Sequence, residues 1–199
     1  MQRRNTFLSQ HRRDKGIQVL CSISAEHFVW VAVRVLRGAK QADTSVSQLR
    51  SLKHCPKCGY RTSETTSAEK CCPDSGDADK LEIGPLYCGS LFSRVFVDAM
   101  RGECTEHTSE KASQLLDRVL EECADGPGPE PLGYCCYHTY CGKVANPPKL
   151  QDLVTSLQTA GFHATRTHFD PKCIRTNASP AQLESHILSL ATICKGEVF

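Results

Sequence analysis

The sequence predicts an α/β (α+β) protein, and three observations carry that prediction. A run of β-branched and aromatic residues, Phe28-Val29-Trp30-Val31-Ala32-Val33 followed by Val35 and Leu36, has strand character. A cysteine- and glycine-rich stretch over 54–90 shows no period of its own. Beyond residue 130 the pattern alternates helix, strand and helix. The chain has 199 residues, 40% of them hydrophobic, which is enough for a genuine core.

Taken in order, residues 17–36 hold the densest apolar run, broken only by Arg34 near its end. That content fits a strand over 27–36 buried on both faces, which needs a neighbour on either side. Residues 1–37 therefore read as the remaining end of a larger sheet domain. Residues 38–53 form a polar connector into a helix-like stretch ending at Leu52, and 54–90 complete a second segment, 38–90. A third segment, 91–125, is helical. Its clearest helix spans 109–124, with Ser109 as N-cap, Glu110 in the first turn, and Leu115, Leu116, Val119, Leu120 and Cys123 on one face.

The proline-rich run 124–131 stops that helix and opens a carboxy-terminal α/β unit, 126–199. Tyr134-Cys135-Cys136-Tyr137-His138 reads as a strand with alternate aromatics packed. Pro148 opens a helix with Leu150, Leu153, Val154, Leu157 and Ala160 on its apolar face, and Gly161 stands where a C′ residue belongs. A short strand over 162–168 follows. Ser179-Pro180-Ala181-Gln182 is a capping box, which starts a last helix through Leu183, Ile187, Leu190 and Ala191.

The net charge of +2 makes no case for nucleic acid by itself, so any such argument rests on local clusters. Thirteen cysteines are the outlier. A secreted disulfide scaffold would begin with an apolar leader, whereas Met1 to Arg13 reads MQRRNTFLSQHRR. A reducing compartment is expected, with a few cysteines on metal and the others packed as small hydrophobes. The arginine-rich start lacks the serine-rich amphipathic stretch of an organelle transit peptide, and it reads as the interrupted helix of a truncated chain. No run approaches the ~18 apolar residues of a membrane span.

The 54–90 stretch is too poor in long apolar side chains to hold its shape without a staple. Cys55-Pro56-Lys57-Cys58-Gly59 is half of a zinc knuckle: two thiolates at this spacing grip one tetrahedral ion, and the glycine lets the backbone turn. Cys71 and Cys72 are the expected second half. A regular second pair would place a cysteine at Ser75, so His54 or Cys88 is the candidate to complete the set. The alternatives are a zinc ribbon that has lost its ion and cysteines unrelated to a metal.

Between 166 and 175, Arg166, His168, Lys172 and Arg175 supply four donors suited to phosphate and 2′-hydroxyl contacts, with Phe169 as a stacking face. The competing reading is a polar hairpin that Thr167 and Asp170 tie locally, with Phe169 in the core.

Four blocks stand in order along the chain: Ser22-Ile23-Ser24-Ala25-Glu26-His27-Phe28-Val29 with Val33-Arg34-Val35; the CxxC; Ile83-Gly84-Pro85-Leu86-Tyr87 with Leu91; and Arg166-Thr167-His168-Phe169-Asp170-Pro171 with Ile174-Arg175-Thr176-Asn177-Ala178. Together they resemble the tRNA (guanine-26-N2)-dimethyltransferase family, nearest its vertebrate dimethyltransferase-like branch, over residues 15–190. The resemblance implies a Rossmann-like methyltransferase domain of which 1–37 is the edge, then a zinc-ribbon-like insert and a tRNA-binding region. It also implies tRNA as partner, S-adenosylmethionine as methyl donor of the parent protein, and a nuclear or nucleolar location in preference to a mitochondrial one. The family's cofactor loop and acidic-proline catalytic motif belong upstream of residue 27, and nothing in this chain matches them, so neither catalytic nor cofactor-binding residues are expected here. The enzyme reading, tRNA guanine-N2 methylation, thus attaches to the family, and the chain alone is expected to be inactive. The alternative is a non-catalytic zinc-bearing module that binds RNA or protein.

Overall fold

The computed structural model describes residues 14–63, 80–123, 131–142 and 144–193. The chain divides into two units, Met1–Met100 and Arg101–Phe199. The α/β class is as expected, and it is built from small antiparallel sheets.

In the first unit, strands β1 (Lys15–Ala25) and β2 (Phe28–Arg37) form an antiparallel hairpin running from Lys15 opposite Arg37 to Ala25 opposite Phe28. Val19, Leu20, Cys21 and Ile23 of β1 are buried. β2 differs from the sequence expectation. It is a strand over the expected residues, but Phe28, Val29, Trp30, Val31, Val33 and Val35 are all exposed. Among the described residues its only strand partner is β1, so one edge and much of its surface lie open.

Helix α1 (Ala39–Ser47) seats on β1 through Ser45, whose hydroxyl accepts the Ile17 N–H at 2.7 Å and lies 3.0 Å from the carbonyls of Ile17 and Gln41. The helix ends five residues before Leu52. Leu49–His54 is instead strand β3, because its backbone pairs on both sides, with β4 (Arg61–Thr62) and with β5 (Leu81–Tyr87). Ladder bonds and packing of this kind override a weak local helical pattern. Helix α2 (Arg94–Gly102) buries Val97, and the turn before it is tied to β1 by the Ser93 N–H donating to the Leu20 carbonyl at 2.7 Å.

The second unit begins with helix α3 (Glu110–Glu122), capped as expected by the Ser109 hydroxyl accepting from the Ala112 N–H at 3.3 Å. The linker expected at 124–131 lies almost entirely outside the described residues. The strand expected over 134–138 is shorter: β6 (Cys135–Cys136) gives way to a one-turn helix α4 (Tyr137–Cys141), and the Tyr137 hydroxyl donates to the Pro148 carbonyl. Helix α5 (Leu150–Thr159) follows the predicted face, and Gly161 at φ 87° provides the left-handed C′ position that a side chain would resist. Strands β7 (Ala164–Arg166) and β8 (Cys173–Thr176) make an antiparallel hairpin, giving the sheet order β6-β8-β7. Helix α6 (Pro180–Ile193) starts at the expected capping box: the Ser179 N–H donates to Gln182 Oε1 at 2.8 Å, and the Gln182 N–H to Ser179 Oγ at 3.3 Å.

The core of this unit is Leu153, Val154, Leu157, Ala164, Ile174, Leu183 and Ile187 with Cys141. Each fully buried leucine or isoleucine contributes about 1.5–3 kcal/mol. The faces of α5 and α6 read from the sequence thus meet over the β-hairpin and hold it from one side.

Candidate nucleic-acid interface

The β7–β8 hairpin is closed by its own side chains. The Thr167 hydroxyl donates to the Asp170 carbonyl at 2.7 Å, and the Asp170 carboxylate accepts from the Lys172 N–H at 2.8 Å and the Cys173 thiol at 3.3 Å. The Lys172 N–H, then the Cys173 thiol, hold the Asp170 carboxyl below its ordinary range. Burial, then the neighbouring Asp170 and Cys136, push the Cys173 thiol up to about 12, so it packs as a neutral group. The local-tie reading of Thr167 and Asp170 describes what is seen.

The four expected donors fall into two groups. Lys172 is exposed at the hairpin tip, and Arg166 is half-buried at the end of β7. His168 and Arg175 instead face inward, with side chains 4% and 5% exposed, against Glu122, which is 1% exposed. Glu122 accepts the backbone N–H of His168. It also lies 2.7 Å from His168 Nδ1 and 4.0 Å from Arg175 Nη1. Opposite an acceptor-only carboxylate, Nδ1 carries the proton. Arg175 also donates to the Pro131 carbonyl at 3.4 Å. Buried charges persist only when paired in this way. His168 and Arg175 consequently lock the hairpin onto the carboxyl end of α3.

Sequence reasoning missed Glu122. A signal was present, because Glu122 lies three residues after Val119 and seven after Leu115, in phase with the apolar face of α3. A charged residue in that phase demands a partner.

Phe169 is 40% exposed and Tyr134 45% exposed, and their rings meet edge to face at 4.9 Å. His168 packs edge-on against Phe169 at 5.1 Å. Lys172 and Phe169 stand on the β7–β8 connection, and Tyr134, from the segment before β6, packs against Phe169, so a cation and two exposed aromatic rings come from neighbouring segments, a combination that suits a phosphate and an unstacked base.

In the first unit, Cys55 is buried and Cys58 half-buried. The Gly59 N–H donates to the Cys55 carbonyl at 2.8 Å, the Cys55 N–H to the Tyr60 carbonyl at 2.9 Å, and Gly59 has φ 77°. This is the tight turn a knuckle requires. His54 Nδ1 is buried without a hydrogen-bond partner among the described residues, whereas Cys88 points its thiol toward the Leu86 carbonyl at 3.5 Å. Cys71 and Cys72 lie outside the described residues, and no group of three or more metal-binding side chains occurs among the described ones.

The chain matches the model of the N2,N2-dimethylguanosine tRNA methyltransferase family over residues 6–188. It is 32% identical over 188 residues to the tRNA (guanine(26)-N(2))-dimethyltransferase of Methanothermobacter thermautotrophicus, covering 93% of this chain and 49% of that protein. It is 27% identical over 249 aligned residues to the tRNA (guanine(27)-N(2))-dimethyltransferase of Rattus norvegicus, covering 91% and 34% respectively. Among solved structures, it resembles Trm1 from Pyrococcus horikoshii in complex with S-adenosyl-L-methionine. That likeness has a TM-score of 0.72 and 24% identity, over 91% of this chain and 46% of that one, and it carries the fold alone. The chain spans about half the length of its archaeal relative and about a third of the rat one.

Proposed function

Since the chain belongs to the N2,N2-dimethylguanosine tRNA methyltransferase family, we propose that it serves S-adenosylmethionine-dependent N2-methylation of a guanine in tRNA by supplying the tRNA-binding carboxy-terminal region. The observation that carries this reading is the hairpin presenting Lys172 and Phe169 beside Tyr134, braced from behind by Glu122.

On this reading the chain alone does not transfer methyl groups. Methyl donors of this class bind at the carboxyl ends of parallel strands, and every paired strand among the described residues is antiparallel. The second segment is a zinc-ribbon-like insert, with Cys55 and Cys58 as one half of the ligand set and Cys71 and Cys72 as the other. The knuckle turn and the orphaned His54 Nδ1 support it. A bound zinc would supply structural crosslinking there. A nuclear site of action accords with a tRNA-modifying role.

The purified chain is expected to bind unmodified tRNA in a salt-dependent manner and to leave it unmethylated when supplied with radiolabelled S-adenosylmethionine. Lys172→Ala combined with Phe169→Ala should weaken that binding several-fold, since base–aromatic stacking contributes about 1–3 kcal/mol. Label incorporation above a no-protein control would overturn the inactive reading. Absence of tRNA binding would overturn the functional role.

A further inference from the structure

Cys136 and Cys173 stand opposite each other across the β6–β8 ladder. The Cys173 N–H donates to the Asp170 carbonyl at 3.1 Å, and the Cys173 carbonyl accepts from the Thr167 N–H at 3.1 Å. One step along the ladder, the Tyr137 N–H donates to the Lys172 carbonyl at 3.0 Å. Cys136 and Cys173 are therefore a non-hydrogen-bonded pair, the kind in which opposed Cα atoms approach to about 4.5 Å and the side chains lie closest. That separation falls within the range a disulfide spans, about 4.4–6.8 Å. The two side chains already hydrogen-bond to each other.

Packing as small hydrophobes does not account for this arrangement. Alternation along β6 sends Cys135 to the other face, opposite Ile174, where it packs against the core of the unit. Cys141 lies in that core as well. Cys136 and Cys173 instead meet each other and the Asp170 carboxylate, which lies 3.3 Å from the Cys173 sulfur.

The two thiols differ in access. Cys136 is half-buried, whereas Cys173 is 1% exposed. Burial, then Asp170 and Cys136, keep the Cys173 thiol protonated. A small oxidant arriving from solvent thus meets Cys136 first, and Cys173 is the neighbour within reach of the product.

We propose that Cys136 and Cys173 are a peroxide-sensitive thiol pair that closes to a reversible disulfide and clamps β6 to β8. The Cys136 thiol loses its proton to solvent and its sulfur attacks one peroxide oxygen; the O–O bond breaks, and the departing hydroxide takes up a proton to leave as water. The resulting Cys136 sulfenic acid is then attacked by the Cys173 sulfur: the S–S bond forms, the S–O bond breaks, and the hydroxide leaves as water with the Cys173 proton. The thiol pair gives up two electrons and two protons, and one peroxide becomes two waters. Strand β6 has two residues and pairs with the central strand of its sheet, so the clamp fixes the segment that carries Tyr134. This chemistry is independent of tRNA binding.

The test treats the full chain with equimolar hydrogen peroxide, blocks the remaining thiols with iodoacetamide, and maps the digest by mass spectrometry without reductant. A linked peptide joining Cys136 to Cys173 is expected from wild type and from Cys135→Ser, is absent from Cys136→Ser and Cys173→Ala, and disappears after dithiothreitol. The oxidised wild-type chain should melt about 5 °C above the reduced one, because the crosslink constrains the unfolded chain. Cys136→Ser should show no such gain. Recovery of both thiols alkylated, of Cys136 as a sulfinic acid, or of either residue linked to a different cysteine would overturn the pairing.

Discussion

Replacing Glu122 with alanine removes the carboxylate that faces two inward donors of the β7–β8 hairpin, His168 and Arg175, and its cost can be worked from the distances. Arg175 Nη1 lies 4.0 Å from Glu122 Oε2. At an effective dielectric near 20, opposite charges so placed attract by about 4 kcal/mol. Two hydrogen-bond donors of His168, its backbone N–H and Nδ1, lose their acceptor as well. Breaking a buried pair from one side costs about 3–5 kcal/mol, because the remaining charge stays buried and unpaired. In a chain of this size about 2–4 °C of melting temperature corresponds to each kcal/mol, so Glu122→Ala should melt at least about 6 °C below wild type. Glu122→Gln should fall between the two, since it keeps an acceptor for the His168 N–H and loses the charge opposite Arg175. Adding Arg175→Met to Glu122→Ala should recover part of the loss, because no guanidinium is then left buried opposite a missing carboxylate. Thermal denaturation followed by circular dichroism measures all four proteins. A Glu122→Ala variant melting within 2 °C (about 1 kcal/mol) of wild type would refute the reasoning that this cluster braces the hairpin.

Two further outcomes are expected. Protein purified without chelator should carry about one zinc per chain, and Cys55→Ser or Cys58→Ser should lower its melting temperature, as structural zinc contributes on the order of 10 kcal/mol to such elements; elemental analysis finding no zinc would sink this. Asp170 has a folded pKa below its unfolded value, so its stabilising contribution is present above about pH 4 and is lost as pH falls through the folded value. The gap in melting temperature between wild type and Asp170→Asn should therefore narrow on acidification, and a gap that stays constant down to about pH 2 would count against the carboxylate's role.

Much of the second unit was legible because its signals are local. The Ser109 cap, the Ser179–Gln182 box, Gly161 and the apolar stripes of α5 and α6 each act within one or two turns of helix, and each lies where it was read. What escaped was non-local. β3 looked helical because its strand character comes from pairing with β5, about thirty residues on. His168 and Arg175 looked like surface cations because their partner, Glu122, is 46 residues before His168. β2 was read as a buried strand from its composition, which records what a strand is built to meet rather than what covers it among the residues described.

That last feature bears on how the chain behaves in solution. A ten-residue strand whose second edge is unpaired among the described residues, with apolar side chains on both sides, is a template to which an extended segment can add, including the same strand of another molecule. Between Phe28 and Leu36 the single charge is Arg34. It acts as a gatekeeper, since stacking identical strands in register would line up like charges. Its replacement by an apolar residue would leave nine uninterrupted apolar residues and turn the edge into a seed for fibrils.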